Sequence, residues 1–133
     1  MDKKSLIQIV DDNAQYREML ACILEQQGFR TISAQNGREG VELAVEYQPG
    51  LILMDLNMPV MNGYEATKAI HAHRLGRKIP IVAVSADCSA YEFELYAFEL
   101  GFIAFLTKPF EPESLLKIVT KALAGDIKIR RAA

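Results

Sequence analysis

Apolar residues fall into five short blocks, each followed by a stretch with helical spacing. The blocks are residues 6–10, 29–34, 51–54, 79–84 and 102–106. The third, Leu51 to Met54, is apolar at every position rather than every second one, which suits a strand buried on both faces. Between the blocks, the spacing predicts helices over 14–27, 38–47, 63–73 and 89–100, and a last helix over 112–123. On the first helix, Tyr16, Leu20, Ile23 and Leu24 share a face; on the second, Val41, Ala44 and Val45 point inward. On the last, the inner stripe is Leu115, Leu116, Val119, Ala122 and Leu123. Asp11, Asp12 or Asn13 can cap the first helix, Gly28 closes it, and Pro112 starts the last one. Pro80 is tolerable near the start of the fourth strand if its missing N–H lies outside the ladder. Strict alternation of strand and helix implies an α/β fold, a doubly wound parallel sheet with helices on both faces.

Length and composition narrow this little. The 133 residues have room for one core, and half of them are hydrophobic. The expected division is one domain over 1–124, with 125–133 a tail or the start of a linker. A net charge of −2 suggests neither nucleic-acid nor membrane binding. No apolar run approaches the roughly 20 residues needed to span a bilayer, and no leader is expected. The two cysteines, Cys22 and Cys88, define no disulfide framework or zinc site, and Cys22 reads as a small core residue. A reduced, cytoplasmic setting is the expectation.

The polar residues that end the strands change the picture. Asp11 and Asp12 follow the first strand, Asp55 the third, Ser85 the fourth and Lys108 the fifth. In a parallel sheet these ends share one edge, where open α/β sheets bind ligands. Clustered carboxylates repel one another and raise each other's pKa, and a divalent cation relieves that. Oxygen donors without His or Cys specify a hard ion, Mg2+ first. Mg2+, a lysine and a hydroxyl together suit a phosphoryl group, and a carboxylate such as Asp55 can attack phosphorus to give an acyl phosphate.

Over about residues 6–123 the pattern resembles the receiver domain of bacterial two-component response regulators. The motifs are Asp11-Asp12, Asp55 with Met58, Pro59 and Gly63 behind it, Ser85-Ala86, and Lys108-Pro109-Phe110. The resemblance implies a flavodoxin-like, chemotaxis-regulator-like sheet in strand order 2-1-3-4-5. It also implies that Asp55 accepts a phosphoryl group from the phosphohistidine of a sensor histidine kinase or a histidine phosphotransfer protein. Asp12 and Asp55 would bind Mg2+, Asp11 directly or through water, and the backbone carbonyl of Asn57 would complete the protein ligands. Lys108 would pair with the phosphoryl group or with Asp55, and Ser85 would hydrogen-bond a phosphoryl oxygen. Ser85 and Phe105 would form the switch, with Phe105 replacing the more usual tyrosine. Asn57 and Asp87 would set the lifetime of the phosphoryl group, and the Lys108–Pro109 bond would be cis. Such a chain is expected to be a phosphoacceptor without independent turnover, not an enzyme.

The predicted helix over 89–100 carries one stripe of Phe93, Tyr96, Ala97 and Leu100 and another of Tyr91, Leu95 and Phe98. If the first packs on the sheet, the second is a partner surface. It coincides with the family's output face of fourth helix, fifth strand and fifth helix. That face would meet a downstream protein, a linked effector domain or a second copy of the chain. Three other readings are weighed against the switch. A receiver in a hybrid kinase would be a phosphorelay intermediate. An aspartyl phosphatase would have an aspartate where Asn57 stands. A phosphorylation-independent interaction module would not require the intact acidic and lysine positions. His71 and His73 read as surface histidines away from the cluster.

Overall fold

The computed structural model describes residues 6–86 and 101–126. It contains a five-stranded sheet in the order β2-β1-β3-β4-β5. The strands are β1 (Leu6–Val10), β2 (Arg30–Ala34), β3 (Leu51–Met54), β4 (Ile81–Ser85) and β5 (Ala104–Thr107). All four pairings are parallel. The helices among the described residues are α1 (Ala14–Gln26), α2 (Gly37–Tyr47), α3 (Gly63–Ala72) and α4 (Pro112–Leu123). The helix expected over 89–100 lies outside the described residues, and with it Asp87, Tyr91, Leu95 and Phe98.

The period of two along the strands divides the core in two. Leu51, Leu53, Val82 and Val84 face Leu20 and Leu24 of α1 and Leu115 and Val119 of α4. Ile52, Met54, Ile81 and Ala83 face Ala44 of α2 and Ala66 and Ile70 of α3. β3 lies between β1 and β4, which is why all four of its residues are buried. β2 lies at the edge, and its Arg30 and Ser33 are exposed. Gly40 lets α2 approach β1: a Cβ there would lie 3.0 Å from a Val10 methyl, and its carbonyl accepts a 2.8 Å hydrogen bond from the buried Gln8 amide.

Several expectations shift. β4 begins at Ile81 rather than 79, which makes Ser85 the last residue of the strand; Pro80 stands just before it and still accepts the Ile52 N–H of β3 at 3.0 Å through its carbonyl, a role that needs no N–H. β5 begins at Ala104, not 102, although Phe102 is fully buried. Neither Asp11 nor Asp12 caps α1; Asn13 does, its side chain accepting from the Tyr16 N–H at 3.0 Å. Cys22 is exposed rather than in the core. It stands two residues from both Leu20 and Leu24, about 200° around the helix from each, and those two are buried. The inner stripe of α4 is as read, with Leu115, Val119 and Ala122 buried. None of the described helices is long and apolar enough to cross a membrane.

Candidate functional site: an acidic cluster at the carboxyl edge of the sheet

The site is built by extending the ladder one residue beyond the strands. The Asp11 N–H donates to Ala34 O at 3.1 Å, the Asp55 N–H to Val10 O at 2.9 Å, and the Lys108 N–H to Ser85 O at 3.1 Å. These backbone bonds hold Asp11, Asp55 and Lys108 side by side above the sheet, although up to 97 residues separate them in sequence. Lys108 Nζ lies 2.7 Å from Asp11 Oδ2 and 3.4 Å from Asp55 Oδ2. Its tighter partner is therefore Asp11, where the sequence pointed to Asp55. Carboxylate oxygens of Asp11, Asp12 and Asp55 lie within 4.8 Å of one another. Asp11 and Asp55 are buried, whereas Asp12 is exposed.

Both oxygens of Asp11 are engaged, since Oδ1 accepts the Asn13 N–H at 2.8 Å while Oδ2 meets the lysine. Asp55 Oδ1 accepts the Asn57 N–H at 3.2 Å. The Asn57 amide reaches Ser85 Oγ at 3.5 Å, a contact that the sequence left undefined. Phe105 is half-buried against the core cluster that contains Val10 and Met54. The Lys108–Pro109 bond is cis, as the resemblance implied.

Two of the residues expected elsewhere take part in or near this arrangement. The Lys108 ammonium sits 4.2 Å from the centre of the Tyr16 ring, a cation–π contact, and Tyr16 in turn meets Phe110 with ring centres 6.3 Å apart. The spacing along α1 puts Tyr16 on the face of Leu20 and Leu24 and gives no hint of this contact. A different signal was present: side chains tilt toward a helix's N-terminus, and that of α1 begins just after Asp11 and Asp12. His71 is half-buried, not a surface residue; its Nε2 lies 2.9 Å from Ile79 O and ties α3 to the entry of β4. His73 is exposed, as expected.

The loop from Asp55 to α3 is fixed at both ends. Leu56 and Met58 are buried beneath it. The Gly63 N–H donates to Leu56 O at 3.1 Å, and α3 opens with a capping box between Asn62 and Glu65. A Cβ on Gly63 would lie 2.1 Å from Asp55 O, so only glycine allows the helix to start against the acidic residue. Between these anchors, Val60 has φ of 72°, a costly conformation for a β-branched residue. The Met61 N–H closes that turn on Pro59 O at 2.8 Å.

Burial pushes the Asp55 carboxyl above its ordinary value; Lys108 opposes this and Asp11 adds to it. Burial alone would lower the Lys108 pKa, but the combined pull of Asp11 and Asp55 raises it, so the lysine stays charged. One lysine charge faces three carboxylates. The surplus is negative, the donors are all oxygen, and the site fits a hard divalent cation.

A flavodoxin-like sheet with paired acids after its first strand, a single acid after its third and a lysine after its fifth defines the receiver class. Residues 7–120 match the response regulator receiver domain, and the chain belongs to that family of two-component systems. It is 34% identical to the protein PilH of Pseudomonas aeruginosa over 119 residues, 90% of this chain and 98% of that one. Its structure is similar to the chemotaxis protein CheY4 of Vibrio cholerae, with 30% identity and a TM-score of 0.83 over 90% of this chain and 98% of that one. It is similar also to the receiver domain of the sensor histidine kinase PA1611 from Pseudomonas aeruginosa PAO1, solved with a magnesium ion coordinated in the active site cleft. That match has 30% identity and a TM-score of 0.82 over 91% and 98% of the two chains.

Proposed function

We propose that the chain is a phosphorylation-activated switch in which Asp55 takes a phosphoryl group from a phosphohistidine. An Asp55 carboxylate oxygen forms the new P–O bond, the P–N bond to the donor imidazole breaks, and the imidazole nitrogen leaves with the electron pair. The observation that carries this reading is the position of Asp55 among Asp11, Asp12 and Lys108 at one edge of the sheet. Asp11, Asp12, Asp55 and the Asn57 carbonyl would hold Mg2+, as hard oxygen donors suit it, and the magnesium in the PA1611 receiver supports that choice. The bound ion supplies positive charge to the phosphoryl oxygens. Lys108 supplies a second, fixed charge beside Asp55, held in place by Asp11 and the Tyr16 ring. Ser85 ends the neighbouring strand, and its hydroxyl would donate to a phosphoryl oxygen. That pull, with inward rotation of Phe105, would bias a two-state equilibrium toward an altered output face.

The chain would act once per phosphoryl group, with hydrolysis of the acyl phosphate resetting it rather than turnover of an external substrate. Asn57 and Asp87 would set that lifetime. The donor would be a sensor histidine kinase or a histidine phosphotransfer protein, and the recipient a downstream protein, a linked effector domain or a second copy. Its similarity to a sensor-kinase receiver supports a second reading, a relay intermediate that passes the group to another histidine.

The test is intact mass after incubation with Mg2+ and acetyl phosphate, for the wild type and Asp55→Asn. The expected result is a gain of one phosphoryl group that needs both Mg2+ and Asp55. No gain in the wild type, with Mg2+ binding also absent, would leave a constitutive interaction module.

A further inference from the structure

The opposite edge of the sheet carries a second concave site. A pocket of about 450 Å3 opens between the turn that enters β3 and the loop that enters β4. That volume lies within the range of small-molecule sites. Three cations line it, Arg74, Arg77 and Lys78, over apolar surface from Pro49, Ile79 and Pro80. No carboxylate is among the lining residues, and none of the three cations forms an ion pair among the described residues. All three cations are exposed, and they give this edge a local positive charge in a chain whose net charge is −2.

The loop that holds them is fixed. The Leu75 N–H donates to His73 Nδ1 at 3.1 Å. The Gly76 N–H donates to His73 O at 2.9 Å, and the Ile79 N–H to Gly76 O at 3.1 Å. Gly76 is wedged against α3, where a Cβ would lie 2.4 Å from Ile70 O. The cations are therefore presented by a shaped backbone and not by a free tail.

We infer that this pocket binds a phosphorylated small molecule with a planar body, a nucleotide being the simplest case. The phosphates take the charge of Arg74, Arg77 and Lys78, for which guanidinium forks are well matched. The space exceeds what a bare phosphate fills, and the apolar surface of Pro49, Ile79 and Pro80 accommodates a ring. The site lies across the sheet from Asp55, so its occupancy is measurable without Mg2+ and without phosphorylation.

The experiment is a titration of the full chain in EDTA, followed by the backbone amide NMR signals, with ADP, with pyrophosphate and with adenosine. ADP is expected to give saturable shifts at residues 48–50 and 74–80, at least about tenfold tighter than either fragment. The exposed triple variant Arg74→Gln, Arg77→Gln, Lys78→Gln is expected to keep the remaining spectrum and lose at least about tenfold in ADP affinity. Equal affinity for pyrophosphate and ADP would overturn the assignment of a ring-bearing ligand. No saturable shift at those amides up to about 10 mM ADP, or equal affinity in wild type and variant, would overturn the site itself.

Discussion

Burial at the sheet edge makes the charge on Asp55 costly. Burial raises its pKa, with Asp11 adding to the shift and Lys108 opposing it, so the ionised form is disfavoured in the folded state. A carboxyl with a raised folded pKa favours folding below its unfolded pKa, near 4, and loses that advantage as pH rises through the folded value. Asp55→Asn is therefore expected to be more stable than the wild type at pH 7 in EDTA. The difference should shrink toward zero as pH falls to about 4, as read by urea unfolding across pH. Lys108→Met has the opposite sign. It leaves Asp11 and Asp55 buried without their cation, and a loss of about 1–3 kcal/mol at pH 7 is expected. Added Mg2+ should recover part of that loss in the same assay, because it replaces the missing charge.

At the scale of elements, the site depends on where α3 starts. Gly63 places the helix against the Asp55 carbonyl, and the capping box of Asn62 and Glu65 fixes its first turn. Gly63→Ala is expected to cost about 3 kcal/mol, because the new methyl must displace backbone rather than a flexible side chain. Asn62→Ala should cost only about 1 kcal/mol, the loss of a cap. Chemical denaturation of the two variants checks the ranking. A cost for Gly63→Ala no larger than for the cap would show that the loop yields. The helices also show how far periodicity carries. It placed Leu115, Val119 and Ala122 on the buried face of α4, but it assigned Cys22 to a core face that Leu20 and Leu24 occupy. An isolated small residue on a helix holds too little hydrophobic information to fix its side.

At the scale of the molecule, the sheet brings a negative surplus to one edge and a positive pocket to the other. A cation that binds the folded edge and not the unfolded chain must stabilise the fold. With Mg2+ at about 100 times its dissociation constant, the expected gain is about 2.7 kcal/mol, a melting temperature higher by several degrees. Thermal melts with Mg2+ and with EDTA measure it. Asp55→Asn should show a much smaller gain, and an equal gain would place the ion elsewhere.

The sequence by itself determined the α/β alternation, the central position of β3 and the identity of the acidic and lysine positions. Those are local properties: a run apolar at every position demands burial on both faces, and a charged residue directly after it must lie at the sheet edge. The boundaries of β4 and β5 were less legible, because Ile79 and Phe102 are buried without being paired in a strand. Only the tertiary structure decided that Lys108 bonds Asp11 more closely than Asp55, that Tyr16 lies under the lysine, and that Arg74, Arg77 and Lys78 share a pocket with Pro49. Each depends on distances between segments far apart in the chain. Such distances are set by how the helices settle on the sheet, and hydrophobic spacing along one segment does not encode them.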